Sequence, residues 1–105
     1  MVYAIDFDGT LCEDKFPEIG KPLCNRITLV KKLQCSGHKI ILWTCRNGEA
    51  LREAVEWCNQ YGLVFDAVNE NLPEVREKWG GDTRKVYCDY YIDDKNLSVS
   101  FLDYL

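Results

Sequence analysis

The first ten residues carry the feature that most restricts what this chain can become. Val2, Tyr3, Ala4, Ile5 and Phe7 suit a buried strand, yet two carboxylates, Asp6 and Asp8, interrupt its end in the stretch DFDGT. An ionised carboxylate is costly in an apolar strand unless something pairs with it. The strand therefore has to finish at a rim of its sheet, and both charges need compensation there.

The remaining chain indicates what kind of sheet this is. Residues 9–22 hold Gly9, Pro17, Gly20 and Pro22 and predict a long loop. Pro22 can open a helix on which Leu23, Ile27, Val30 and Leu33 recur at helical spacing, with Gly37 placed to end it. Ile40, Ile41 and Leu42 follow without a polar break, as in a strand covered on both faces. Asn47 is a candidate cap for a second helix with the stripe Leu51, Ala54, Val55, Cys58 and Tyr61, closed by Gly62. A short strand in LVFDAV, a weaker helix from Pro73 with Leu72, Val75 and Trp79 on one side, and a strand in KVYCDYYIDD complete the pattern. Strands alternating with helices predict an α/β fold, a three-layer Rossmann-like parallel sheet with helices on both faces. With 105 residues and a hydrophobic fraction of 47%, the chain is expected to form one domain over 1–105.

Composition excludes several function classes. The formal net charge is −4 and the pI about 4.9, with no basic stripe of the kind that binds nucleic acid. No apolar run approaches a membrane span. The six cysteines, Cys12, Cys24, Cys35, Cys45, Cys58 and Cys88, are widely spaced without a CxxC pair, and the first strand begins without a signal sequence. These features predict reduced cysteines and a cytoplasmic protein. The lone histidine, His38, stands at a helix-to-strand junction and suits the surface. Tyr87, Tyr90 and Tyr91 suit packing better than base stacking.

In an open parallel sheet, ligands bind outside the carboxyl ends of the strands. Asp6 and Asp8, Thr44, and Asp93 with Asp94 all fall at such ends. Four aspartates at one rim repel each other. A hard divalent cation relieves that repulsion, and oxygen ligands are what Mg²⁺ prefers. Such a cation draws in a phosphate. One carboxylate can then attack phosphorus, while a second moves protons. Gly9 permits a tight turn and can aim its backbone N–H at the phosphate, Thr44 offers a hydroxyl, and a lysine is needed for the remaining charge.

The sequence DFDGT, a strand-terminal Thr in ILWTCR, a lysine in RKV and a strand-terminal IDD occur in that order. Together they resemble the four motifs of the haloacid dehalogenase-like (HAD) superfamily of phosphohydrolases, over a match that runs from Asp6 to Asp94. The resemblance implies a HAD-like fold in which residues 9–22 form the squiggle and flap. It implies Asp6 as nucleophile and metal ligand, and Asp8 as general acid/base with its carbonyl on Mg²⁺. Thr44 would bind the phosphoryl group and Lys85 would neutralise it, with Lys78 and Lys95 as competitors for that role. Asp93 and Asp94 would complete the metal shell. Gly9, Thr44, Cys45 and Arg46 would line the substrate site, and Asp89 has no assigned role. No segment is long enough for a cap domain, so Phe16, Ile19 and Lys21 of the flap would stand at the entrance, and a homo-oligomer could cover the site.

The implied activity is an Mg²⁺-dependent phosphatase that forms an aspartyl phosphate from a phosphorylated small molecule. The alternatives are a phosphotransferase of the same superfamily and a non-catalytic phosphate- or metal-binding module. The order of motifs does not fit a two-component receiver domain.

Overall fold

The computed structural model describes residues 1–104. In chain order the elements are β1 (Val2–Ile5), β2 (Cys12–Lys15), β3 (Glu18–Pro22), α1 (Cys24–Cys35), β4 (Lys39–Leu42), α2 (Gly48–Gln60), β5 (Ala67–Val68), α3 (Pro73–Trp79) and β6 (Tyr90–Ile92). A 3-10 helix over Val99–Tyr104 follows. β5, β4, β1 and β6 lie side by side in that order, all parallel. β2 and β3 form a separate antiparallel hairpin.

Side-chain alternation divides the core into two layers. Ile5, Ile40 and Leu42 face one way, onto Ile27 and Val30 of α1 and Ala54 and Cys58 of α2. Ala4 and Ile41 face the other way, onto Leu72, Val86 and the half-buried Val75 of α3. Helices therefore cover both faces of the parallel sheet. Phe7, Ile5, Leu11, Ile40, Ile41 and Leu42 are fully enclosed, and burying side chains of this size contributes about 1.5–3 kcal/mol each.

Three expectations need correction. The stretch 9–22 is not an irregular loop, because it folds back as the β2–β3 hairpin. Pro22 ends β3 instead of opening a helix, and α1 starts two residues later. The last strand is only three residues long, so residues 85–89 precede the sheet edge. Asp89 has a structural job there: its N–H donates to the Val2 carbonyl (2.8 Å) and its carboxylate accepts the Val2 N–H (2.6 Å). It thus ties the start of β6 to the start of β1, at the end of the sheet away from Asp6. All six cysteines are unpaired. No helix among the described residues is long and apolar enough to cross a membrane.

Candidate functional site

The parallel register carries β1, β4, β5 and β6 to a common rim at their carboxyl ends. Beyond them lies a cleft of about 290 Å³ lined by Asp6, Asp8, Asp14, Phe16, Thr44, Cys45, Arg46, Asp93, Asp94 and Lys95. Asp6 directly follows β1, and its N–H donates to the Ile92 carbonyl (2.9 Å), which sets it beside the end of β6. Asp6, Asp93 and Asp94 each bring a carboxylate oxygen within 4.8 Å of the others. The Asp6 carboxyl is pushed up to about 6, first by burial and also by the charges of Asp93 and Asp94, against the Thr10 hydroxyl, which holds it down. That hydroxyl donates to Asp6 Oδ2 at 3.0 Å.

Asp8 is placed differently. Its two oxygens accept Arg46 Nε and Nη2, both at 2.8 Å. The Arg46 side chain is almost wholly enclosed, with 1% exposure against 16% for that of Asp8. Its remaining N–H groups reach the Pro17 carbonyl (3.2 Å), the Glu18 carbonyl (3.0 Å) and the Ala50 carbonyl (3.4 Å). The guanidinium carbon also lies 5.1 Å from the ring centroids of both Phe7 and Phe16. Every donor of the guanidinium fork is engaged. Arg46 was expected to bind substrate; it lines the cleft but serves as a strut joining β1, the hairpin and α2. Because the Asp8 carboxylate is committed to Arg46, only its backbone carbonyl is left for a metal.

Thr44 closes the segment after β4. Its N–H donates to Asn69 Oδ1 (2.8 Å), and its hydroxyl accepts the Arg46 N–H (3.2 Å), keeping its own proton to donate. Asn69 Nδ2 in turn donates to the Arg46 carbonyl (3.3 Å). Asn69 adopts φ 53°, a left-handed backbone that asparagine tolerates better than most residues. It directly follows β5, so the same carboxyl-end rule that selected Asp6, Thr44 and Asp93 would have found it. Thr10 and Asp14 were also missed; they lie on the turn and hairpin that the sequence presented as loop.

Two further expectations change. The Gly9 N–H is not aimed at the cleft, since it donates to the Cys12 carbonyl at 2.9 Å. Gly9 matters for another reason: its φ is +86°, and a Cβ there would overlap the Asp94 carboxylate. Lys85 lies outside the cleft. It precedes the short β6 by five residues, beyond the amino-terminal end of the sheet, and its Nζ sits 5.9 Å from the Tyr91 ring. There it borders another cleft of about 420 Å³ with Asn71, Val75, Trp79 and Tyr87. That space is larger, but the buried Asn71 amide is already paired with Asp82, Thr83 and the Tyr87 N–H. Lys95, just past β6, occupies the acidic cleft instead, with Nζ 3.6 Å from Asp94 Oδ2. Asp94 holds its ammonium above the ordinary range, helped by Asp14 and Asp6. Cys45 is exposed on the cleft wall. Lys78 lies on α3, over the Trp79 ring.

Fold and cleft define a small α/β protein with an acidic site at the carboxyl rim of a parallel sheet. A solved structure of a conserved protein from Bacteroides thetaiotaomicron is similar to it, with 43% sequence identity and a TM-score of 0.83 over 92% of this chain and 78% of that one. The chain belongs to the family of that protein. No protein-family model matches the chain, and no curated protein matches it.

Proposed function

We propose that this protein is a divalent-cation-dependent phosphohydrolase of the HAD type, without a cap domain, that acts on phosphorylated small molecules. The observation that carries the reading is the meeting of Asp6, Asp93 and Asp94 in one cleft with Thr44 and Lys95. These groups come from three separated segments, and no packing requirement explains their convergence. The three carboxylates are all hard oxygen donors, and a dication offsets both the burial of the Asp6 charge and the repulsion from Asp93 and Asp94. They therefore fit Mg²⁺, with Asp6, Asp93, Asp94 and the Asp8 carbonyl as its holders. When bound, the cation supplies charge neutralisation for the phosphoryl oxygens.

In this reading an Asp6 carboxylate oxygen attacks phosphorus. The new O–P bond forms as the bond to the leaving oxygen breaks, and the leaving oxygen takes a proton from Asp8. Water then attacks the aspartyl phosphate, giving its proton to Asp8, and Asp6 is regenerated with release of phosphate. For the first transfer Asp8 has to turn away from Arg46 and take up a proton from solvent. Thr44 donates its hydroxyl proton to a phosphoryl oxygen, and Lys95 takes the role expected of Lys85.

The test is phosphate release from phenyl phosphate with Mg²⁺, with EDTA, and with Asp6→Asn. Release that needs Mg²⁺ and disappears in Asp6→Asn is the expected result. A folded protein that releases no phosphate under any condition would overturn the reading.

A further inference from the structure

The wall of the cleft includes one large apolar group, the Phe16 ring, which is 60% exposed although it belongs to a hairpin otherwise tied to the body of the protein. An exposed ring on a hairpin tip is ordinarily mobile, but this one is held at two points. Its N–H donates to Asp14 Oδ1 (3.3 Å), and its ring lies 5.1 Å from the Arg46 guanidinium carbon. Arg46 is itself immobilised by the Asp8 pair and by the consecutive carbonyls of Pro17 and Glu18, where the hairpin turn enters β3. One part of the ring is packed on a fixed cation, and the rest looks into the cleft.

The charges of the cleft limit what can lie against that ring. Asp6, Asp8, Asp14, Asp93 and Asp94 face only two cations, Arg46 and Lys95. Arg46 is neutralised by Asp8, so beyond the phosphoryl group there is no counter-charge for a second anionic group. The volume, about 290 Å³, stands at the small end of ligand sites, which start at roughly 300 Å³.

We infer that Phe16 is the specificity element of this cleft, a fixed aromatic platform that selects phosphomonoesters whose leaving group is a single planar ring without further negative charge. Monocyclic aryl phosphates meet that description; bisphosphates and phosphorylated carboxylic acids do not. For turnover the inference rests on the phosphohydrolase reading, whereas for binding it rests only on the cation site of that reading.

The experiment uses calorimetry on the full chain in Mg²⁺ with phenylphosphonate and methylphosphonate, which share a head group and cannot lose phosphate. Stacking on an aromatic side chain predicts roughly ten-fold tighter binding of the phenyl compound to the wild type. Phe16→Ala should bring the two dissociation constants close together. Phe16→Leu, which keeps apolar bulk in the hairpin, should lose most of the preference, and Phe16→Tyr should retain it. The platform is refuted by an unchanged preference in Phe16→Ala, by equal weakening of both ligands, or by a wild type that binds neither. Phosphate release from phenyl phosphate separates the two ideas: absent release with an intact preference removes the phosphatase and keeps the platform, and the converse removes only the platform.

Discussion

Asp6 is held in an environment that resists its own charge, and this has a measurable consequence. Its carboxyl is raised from 3.8 to about 6, first by burial and then by Asp93 and Asp94. A carboxylic acid with a raised folded-state value favours folding in its neutral form. Its contribution is complete below the unfolded value near 3.8 and is lost as pH climbs through about 6. At roughly 1.4 kcal/mol for each pH unit, the gap has an upper bound of about 3 kcal/mol. Water at the open side of the cleft screens the charge and reduces this to about 1–2 kcal/mol. Asp6→Asn removes the charge and keeps an oxygen to accept the Thr10 hydroxyl. Without divalent cations the variant should therefore melt roughly 5–10 °C above the wild type at about pH 8, and the difference should fade toward about pH 4. Thermal unfolding followed by circular dichroism across that range, in EDTA, measures it. Subtracting wild type from variant isolates Asp6 from other titrating groups. Mg²⁺ at about a hundred times its Kd should then raise the wild type by about 2.7 kcal/mol and close the gap. If variant and wild type melt together throughout, burial and the neighbouring aspartates do not strain Asp6, and the electrostatic reasoning fails.

Arg46→Ala leaves the Asp8 carboxylate and the hairpin carbonyls unpaired, so urea unfolding should show a loss of about 3–5 kcal/mol; Arg46→Lys, lacking the fork, should recover only part. Gly9→Ala should weaken Mg²⁺ binding by calorimetry, because the added methyl displaces Asp94, and should lower stability by about 1–2 kcal/mol through the left-handed backbone. Lys95→Ala should reduce phosphate release about ten-fold or more, whereas Lys85→Ala should stay within about two-fold; the reverse order would restore Lys85 to the site.

What the sequence revealed and what it hid follow from the range of the forces involved. Continuous apolar strands and striped helices are local patterns, so the two-sided parallel sheet was legible from Ile40–Leu42 and from the stripe on α2. The strand-end rule then located Asp6, Asp8, Thr44, Asp93 and Asp94 together. The β2–β3 hairpin was not legible, because CEDK and EIGKP carry no alternating apolar face. The hairpin is fixed instead by Arg46, some thirty residues away, through carbonyls that any sequence would offer. The same long-range pairing turned Arg46 from a ligand group into a strut. Lys85 was misplaced because the length of β6 decides which end of the sheet a neighbouring lysine reaches. KVYCDYYIDD looks like one strand, but only Tyr90–Ile92 pairs with β1. Asp89 closes that pairing at Val2, so Lys85 falls beyond one end and Lys95 beyond the other. An element boundary shifted by a few residues thus exchanges one lysine for another at the cleft, and the Lys95→Ala and Lys85→Ala pair tests that boundary as much as it tests the chemistry.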